Sequence, residues 1–309
     1  MTSGKNAAMS ETDIAAALVR AGLPADAPTR RLAGLTNLNY LVDTPDGRVV
    51  LRIPGEGTSE YIDRRAEEIA AKATAAAGVN AEVLHFDVSD GLMVTRFVEG
   101  ATTMSPDGFR DLGSVTRAGE VIRRLHTTSD RFAVDFQLFP QIDTFKRILR
   151  EKGTRLPDEW PEIEALAVRT EETLLAAVRP TVPSHCDPLC ENFLDTGTRM
   201  FLIDYEYGGN NDPMWDLGDL SVEGEFTAEQ DAVLLQAYFG HEPPAHEVGR
   251  MTAYKALCDV LWSMWGWVQF ANENPIDDFW AYGLRRFRRC ADLMSSDAYG
   301  RHLAAIVAS

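Results

Sequence analysis

One stretch constrains the fold of this chain more than any other. Residues 184–194 read Ser184-His185-Cys186-Asp187-Pro188-Leu189-Cys190-Glu191-Asn192-Phe193-Leu194, and residues 201–206 read Phe201-Leu202-Ile203-Asp204-Tyr205-Glu206. Between them, Asp195-Thr196-Gly197-Thr198 has the composition of a tight turn. Apolar runs joined by such a turn form a hairpin, which brings Asn192 toward Asp204. Alternate side chains on a strand share a face, so Asp204 and Glu206 are expected to point the same way. Turns commonly collect Asp, Pro and Asn, but turn chemistry gives no reason for two carboxylates on one face of an apolar strand.

The remaining pattern divides the chain in two. An amphipathic helix is predicted over 11–22 from the spacing of Ile14, Leu18 and Val19. Tyr40-Leu41-Val42 leads through Pro45-Asp46-Gly47 into Val49-Val50-Leu51-Arg52-Ile53, a hairpin by its turn residues and β-branched content. An Ala- and Glu-rich helix is expected over about 59–77, ending at Gly78, with strands at 82–87 and 91–97. After that the periodicity is helical at 107–127, 141–152, 161–178, 227–239, 246–271 and 277–295, interrupted by the strand-rich island 182–207. With 309 residues the chain exceeds one ordinary core. The fold class is therefore α+β and bilobal: a small antiparallel-sheet N-lobe over 1–98, and a mainly helical C-lobe over 99–309.

Composition excludes several classes of partner. The net charge of −17 disfavours nucleic acid. No apolar run is long enough for a membrane span, and the N-terminus has no signal-peptide pattern, so a cytoplasmic location is expected. The four cysteines form no CxxC pair, and reduced thiols are the expected state. Cys186 and Cys190 lack the second pair that a structural zinc site requires.

The island suits phosphoryl transfer. One carboxylate must accept or orient the acceptor's hydroxyl proton, while an amide oxygen and a second carboxylate hold magnesium against nucleotide phosphates. Asp187 fits the base. Asn192 and Asp204 fit the metal ligands, and Glu206 fits a second metal contact or a contact to substrate. His185 reads as a buried scaffold residue, and Asp216 as a brace for the loop. The spacing His185-x-Asp187-x4-Asn192, with Asp204 in place of the aspartate of an Asp-Phe-Gly motif, resembles the protein-kinase-like superfamily of aminoglycoside phosphotransferases and choline/ethanolamine kinases. Leu202-Ile203-Asp204-Tyr205-Glu206-Tyr207, Trp215-Asp216-Leu217-Gly218-Asp219 and Leu261-Trp262-Ser263-Met264-Trp265, with Gln269 beyond, are similar to the choline/ethanolamine kinase branch.

That resemblance implies further roles. Gly34-Leu35-Thr36-Asn37-Leu38-Asn39-Tyr40 is similar to the family's nucleotide loop although it lacks G-x-G-x-x-G, and Thr36, Asn37 and Asn39 become nucleotide-binding candidates. Arg52 takes the place of the strand cation that grips phosphates, with Glu67 as its helix partner and Glu68 as the alternative. Tyr207, Trp215, Trp262 and Trp265 become substrate-binding candidates, since a quaternary ammonium is held by aromatic faces. Aromatics at helical spacing also serve as plain core, and that reading stays open here. The activity implied is an ATP- and Mg2+-dependent kinase for choline or a related amino alcohol such as ethanolamine. An aminoglycoside or sugar kinase of the same fold, or a non-catalytic nucleotide-binding relative, remain the alternatives.

Overall fold

The computed structural model describes residues 10–34, 37–55, 58 and 62–308. Its small lobe is a five-stranded antiparallel sheet in the order β1-β2-β3-β5-β4. The strands are β1 (Thr29–Arg31), β2 (Leu38–Thr44), β3 (Gly47–Ile53), β4 (Val83–Asp87) and β5 (Leu92–Arg96). Pairing of Leu38 with Ile53 through Thr44 with Gly47 fixes the register of the β2–β3 hairpin. That register puts Tyr40, Val42, Val49 and Leu51 into one core with Leu92 and Val94. Helix α1 (Glu11–Arg20) covers this core with Ala17 and Leu18, and Ser10 caps its first turn.

Helix α2 (Arg64–Ala76) starts later than its composition suggests. Asp63 accepts from the amides of Arg65 and Ala66, each at 3.0 Å, and so sets the N-terminus; residues 59–61 lie outside the described residues. The helix also reaches the second lobe, because Ala70 joins the large core, as does Val79 beyond the helix end. Just beyond its end, Leu202 donates its amide to the Val79 carbonyl at 3.0 Å.

The second lobe is built from α3 (Leu112–Thr128), α4 (Leu138–Glu151), α5 (Trp160–Ala176), α6 (Pro213–Glu223), α7 (Ala228–Phe239), α8 (Ala245–Ala271), α9 (Phe279–Met294) and α10 (Asp297–Val307). Short strands β6 (Thr102–Thr103), β8 (Phe193–Asp195) and β9 (Met200–Leu202) form one small sheet, while β7 (Val182–Ser184) pairs with β10 (Gly209–Asn211). Helices α6 and α10 were not expected from periodicity. Helix α6 is buried along nearly its whole length and so shows no polar face, but Asp212 followed by Pro213 is a start signal. Close helix contacts need small residues: a Cβ on Gly119 of α3 would lie 2.7 Å from the Leu234 carbonyl of α7. No described helix is long and apolar enough to cross a membrane.

Candidate active site

The loop after β7 is held from beneath by one buried carboxylate. Asp216, on α6, accepts from the backbone amides of His185 at 2.7 Å and Cys186 at 2.9 Å. Its Oδ2 also lies 3.1 Å from His126 Nε2, whose other nitrogen is 2.9 Å from the Tyr238 hydroxyl. Burial works against the charge of Asp216, but the His126 hydrogen bond and the facing histidines and amides hold its carboxyl below the ordinary range. Trp215 Nε1 donates to the Cys186 carbonyl at 3.1 Å. Together these bonds fix Cys186 at φ 69°, a left-handed conformation that a side-chain-bearing residue adopts at a cost. His185 lies across the loop, with Nε2 2.8 Å from the Ile203 carbonyl and its ring 4.7 Å from that of Tyr205. It is buried, and desolvation lowers its pKa, as suits a neutral scaffold imidazole.

The loop presents Asp187, which is half-buried. Desolvation, with the like charges of Glu223, Asp204 and Glu206, pushes its carboxyl up to about 8. Asn192 donates its side-chain amide to the Asp187 carbonyl at 3.2 Å, which leaves its amide oxygen as the atom able to ligate a metal. The Asn192 carbonyl accepts from Ile203 at 2.9 Å, so the hairpin does set Asn192 beside the residue preceding Asp204.

The strand, however, ends at Leu202, and Asp204 sits at φ 69°. Strict alternation therefore does not explain how Asp204 and Glu206 come together. A left-handed turn does, and it places oxygens of Glu67, Asp204 and Glu206 within 4.8 Å of one another. Arg52, 4% exposed on β3, ion-pairs with Glu67 of α2 and lies 3.2 Å from Asp204. Arg64, which sequence reasoning did not single out, is buried and donates to Glu67 at 2.7 Å. Glu206 is raised to about 7 by desolvation and the charge of Asp204, against a 3.2 Å hydrogen bond from Asn37. The three carboxylates are hard oxygen donors of the kind that suits Mg2+.

Of the loop candidates, Thr36 lies outside the described residues. Asn37 is buried and bonds Glu206 across the cleft, joining loop to carboxylates. Asn39 donates its side-chain amide to the Ala33 carbonyl at 3.1 Å, which braces its own loop. Gly34 is packed so closely that a Cβ would meet the Asn37 carbonyl oxygen at 2.5 Å.

The aromatic candidates separate. Trp215 is fully buried against Phe136 and Tyr254, so it has no face for a ligand and is corrected from substrate contact to core brace of the catalytic loop. Trp262 and Trp265 are half-buried and meet edge to face at 6.1 Å, and Trp265 meets Tyr282 at 5.7 Å. Tyr207 is half-buried after the carboxylate turn. Beside Asp187, sequence reasoning missed Glu223, which accepts from Arg286 at 2.6 Å. The available signal was its position four residues after Asp219, one turn along a helix that periodicity did not reveal.

The chain is similar over most of its length to known phosphotransferases. Residues 29–251 match the model of the phosphotransferase enzyme family. The crystal structure of a choline/ethanolamine kinase family protein from Mesorhizobium loti is 47% identical, with 97% of this chain and 100% of that one covered and a TM-score of 0.89. The choline kinase LicA from Streptococcus pneumoniae is 25% identical over 87% of this chain and 93% of its own, with a TM-score of 0.72. Protein LicA of Haemophilus influenzae is 27% identical over 84% of this chain and 77% of its own length.

Proposed function

Since the chain belongs to the phosphotransferase enzyme family, and within it to the choline/ethanolamine kinase family, we propose that it transfers the γ-phosphoryl group of ATP to the hydroxyl of a small amino alcohol of the choline and ethanolamine type. What supports this reading is that Asn192 bonds the Asp187 carbonyl while Asp204 and Glu206 gather with Glu67, the partner of the buried Arg52. The division falls at residues 98/99, with the nucleotide between the lobes.

In this reading Asp187 accepts the hydroxyl proton as the hydroxyl oxygen bonds to the γ-phosphorus, the bond to the β–γ bridging oxygen breaks, and ADP leaves. Its raised pKa makes it a stronger proton acceptor than an ordinary carboxylate. Asn192, Asp204 and Glu206 would hold Mg2+, which when bound neutralises charge on the phosphates. Arg52 would grip phosphate oxygens, positioned by Glu67, while Asn37 ties the loop over them. Trp262 and Trp265, with Glu223 near Asp187, supply the aromatic and anionic surroundings that suit an ammonium.

The test is ATP consumption with choline, ethanolamine, an aminoglycoside and a hexose offered side by side. Turnover with an amino alcohol, and little with the others, is expected; preferential turnover of the aminoglycoside or sugar would overturn the assignment. Trp265→Ala is expected to raise KM for the preferred amino alcohol about tenfold or more while KM for ATP stays constant, the size of a lost cation–π contact of up to about 2 kcal/mol.

A further inference from the structure

Behind the base, α6 and α8 gather Asp219, Glu223 and Cys258, with one ligating atom of each within 4.8 Å of the others. Cys258 donates its thiol to Asp219 Oδ1 at 2.8 Å. Asp219 is only 1% exposed, and its Oδ2 has no hydrogen-bond partner among the described residues. A buried acceptor left unpaired is costly, and a ligand that brought donors to it would relieve that cost. Asp219, Asp187 and Glu223 belong to one neighbourhood: the charges of Glu223 and Asp187, after burial itself, raise the Asp219 carboxyl.

A second observation bears on the same ligand. A quaternary ammonium has no N–H and depends on aromatic faces closing round its methyl groups. Here the face of Tyr282 is already covered by the guanidinium of Arg286, 4.8 Å from the ring centroid. Arg286 is held there by Glu223 at 2.6 Å and Asp259 at 3.4 Å. Trp265 turns its ring edge to face against Tyr282, Phe279 and Trp262. The cage is thus short of one free aromatic face and has a surplus of acceptor oxygens.

From these two features, and resting on the amino-alcohol reading above, we infer that the acceptor site prefers a primary ammonium to a quaternary one, with Asp219 as the specificity-determining residue. The three N–H donors of a primary amine satisfy the Asp219 and Glu223 oxygens, whereas each added methyl removes one donor and demands apolar contact that Tyr282 does not offer.

The experiment measures kcat/KM for ethanolamine, its N-methyl and N,N-dimethyl derivatives, and choline, at saturating MgATP. The expected result for the native enzyme is a stepwise fall with methylation that totals about tenfold or more, carried mainly by KM. Asp219→Asn is expected to flatten the series by weakening ethanolamine more than choline, with KM for ATP unchanged. Choline turned over as well as ethanolamine, or better, would overturn this inference and leave the amino-alcohol assignment standing. A variant that weakens every amine equally would overturn the role of Asp219. No turnover with any of the four amines would overturn both readings. The native series needs no variant, so misfolding of Asp219→Asn does not weaken the test.

Discussion

At the residue scale the chemistry rests on how Asp187 is surrounded. A carboxyl raised to about 8 is largely protonated in the free enzyme at neutral pH. Activity needs the deprotonated form, so kcat/KM is expected to climb about tenfold per pH unit below about 8 and to level off above it. A bound metal and a cationic acceptor favour the carboxylate, so the corresponding limb in kcat should lie at lower pH. Asp187→Asn should lower kcat by about 10²–10⁴-fold and abolish the limb, with nucleotide affinity preserved. A flat profile between pH 6 and 9 in the native enzyme, or a variant with normal turnover, would remove Asp187 from the role of base. Glu206 adds a linked expectation: protons compete with Mg2+ for it, so the apparent Mg2+ affinity should strengthen as pH rises through about 7.

The residue scale was also where sequence reasoning reached furthest. The approach of Asn192 to the residue before Asp204 was legible because a short turn joins the two apolar runs that carry them. Trp215 was misread because periodicity cannot tell a buried Trp whose indole braces a loop from an exposed one that meets a ligand. Asn39 shows a use of a loop amide that sequence does not announce: one of its N–H groups serves its own backbone. The Asp204–Glu206 pairing was reached through a strand that ends too early. A single left-handed residue does the work assigned to alternation, and nothing local in the sequence marks Asp204 for that conformation.

At the scale of elements, the helices around the site are seated by small residues and buried ion pairs. Gly119 lets α3 approach the backbone of α7, and α3 carries His126 while α7 carries Tyr238, the two outer members of the chain leading to Asp216. Gly119→Ala would press a methyl group to within 2.8 Å of the Ala237 side chain as well as onto the Leu234 carbonyl. Thermal and denaturant unfolding should report a loss of about 1–3 kcal/mol, the usual cost of overpacking. The same variant should lose turnover beyond its loss of folded fraction, because His126 moves with α3. Undiminished stability would mean that the two helices can separate without strain. Elements with a strong period of their own were legible in the sequence. Helix α6 was not, because a helix buried on all sides has no polar face to betray it.

For the whole molecule the dominant quantity is charge. A net −17 spread over a chain of 309 residues makes the folded state repel itself, and mobile ions relieve that repulsion. The melting temperature should therefore rise between about 10 mM and about 150 mM NaCl, as the screening length shortens from about 30 Å to about 8 Å. An unchanged or falling value would show that attractive pairs such as Arg117–Asp195 and Arg250–Asp212 outweigh the net repulsion. The bilobal α+β architecture was legible at this scale because the small lobe is patterned with period two and the large lobe with period 3.6.

Arg52 stands between the two halves of the nucleotide problem. The cation proposed to meet phosphate and the carboxylate proposed to meet metal lie 3.2 Å apart. A bare triphosphate finds its guanidinium occupied, and a lone cation finds its carboxylate half neutralised. Under the proposed roles, a metal-loaded nucleotide would satisfy both partners at once, so the pair would favour that complex over either component alone.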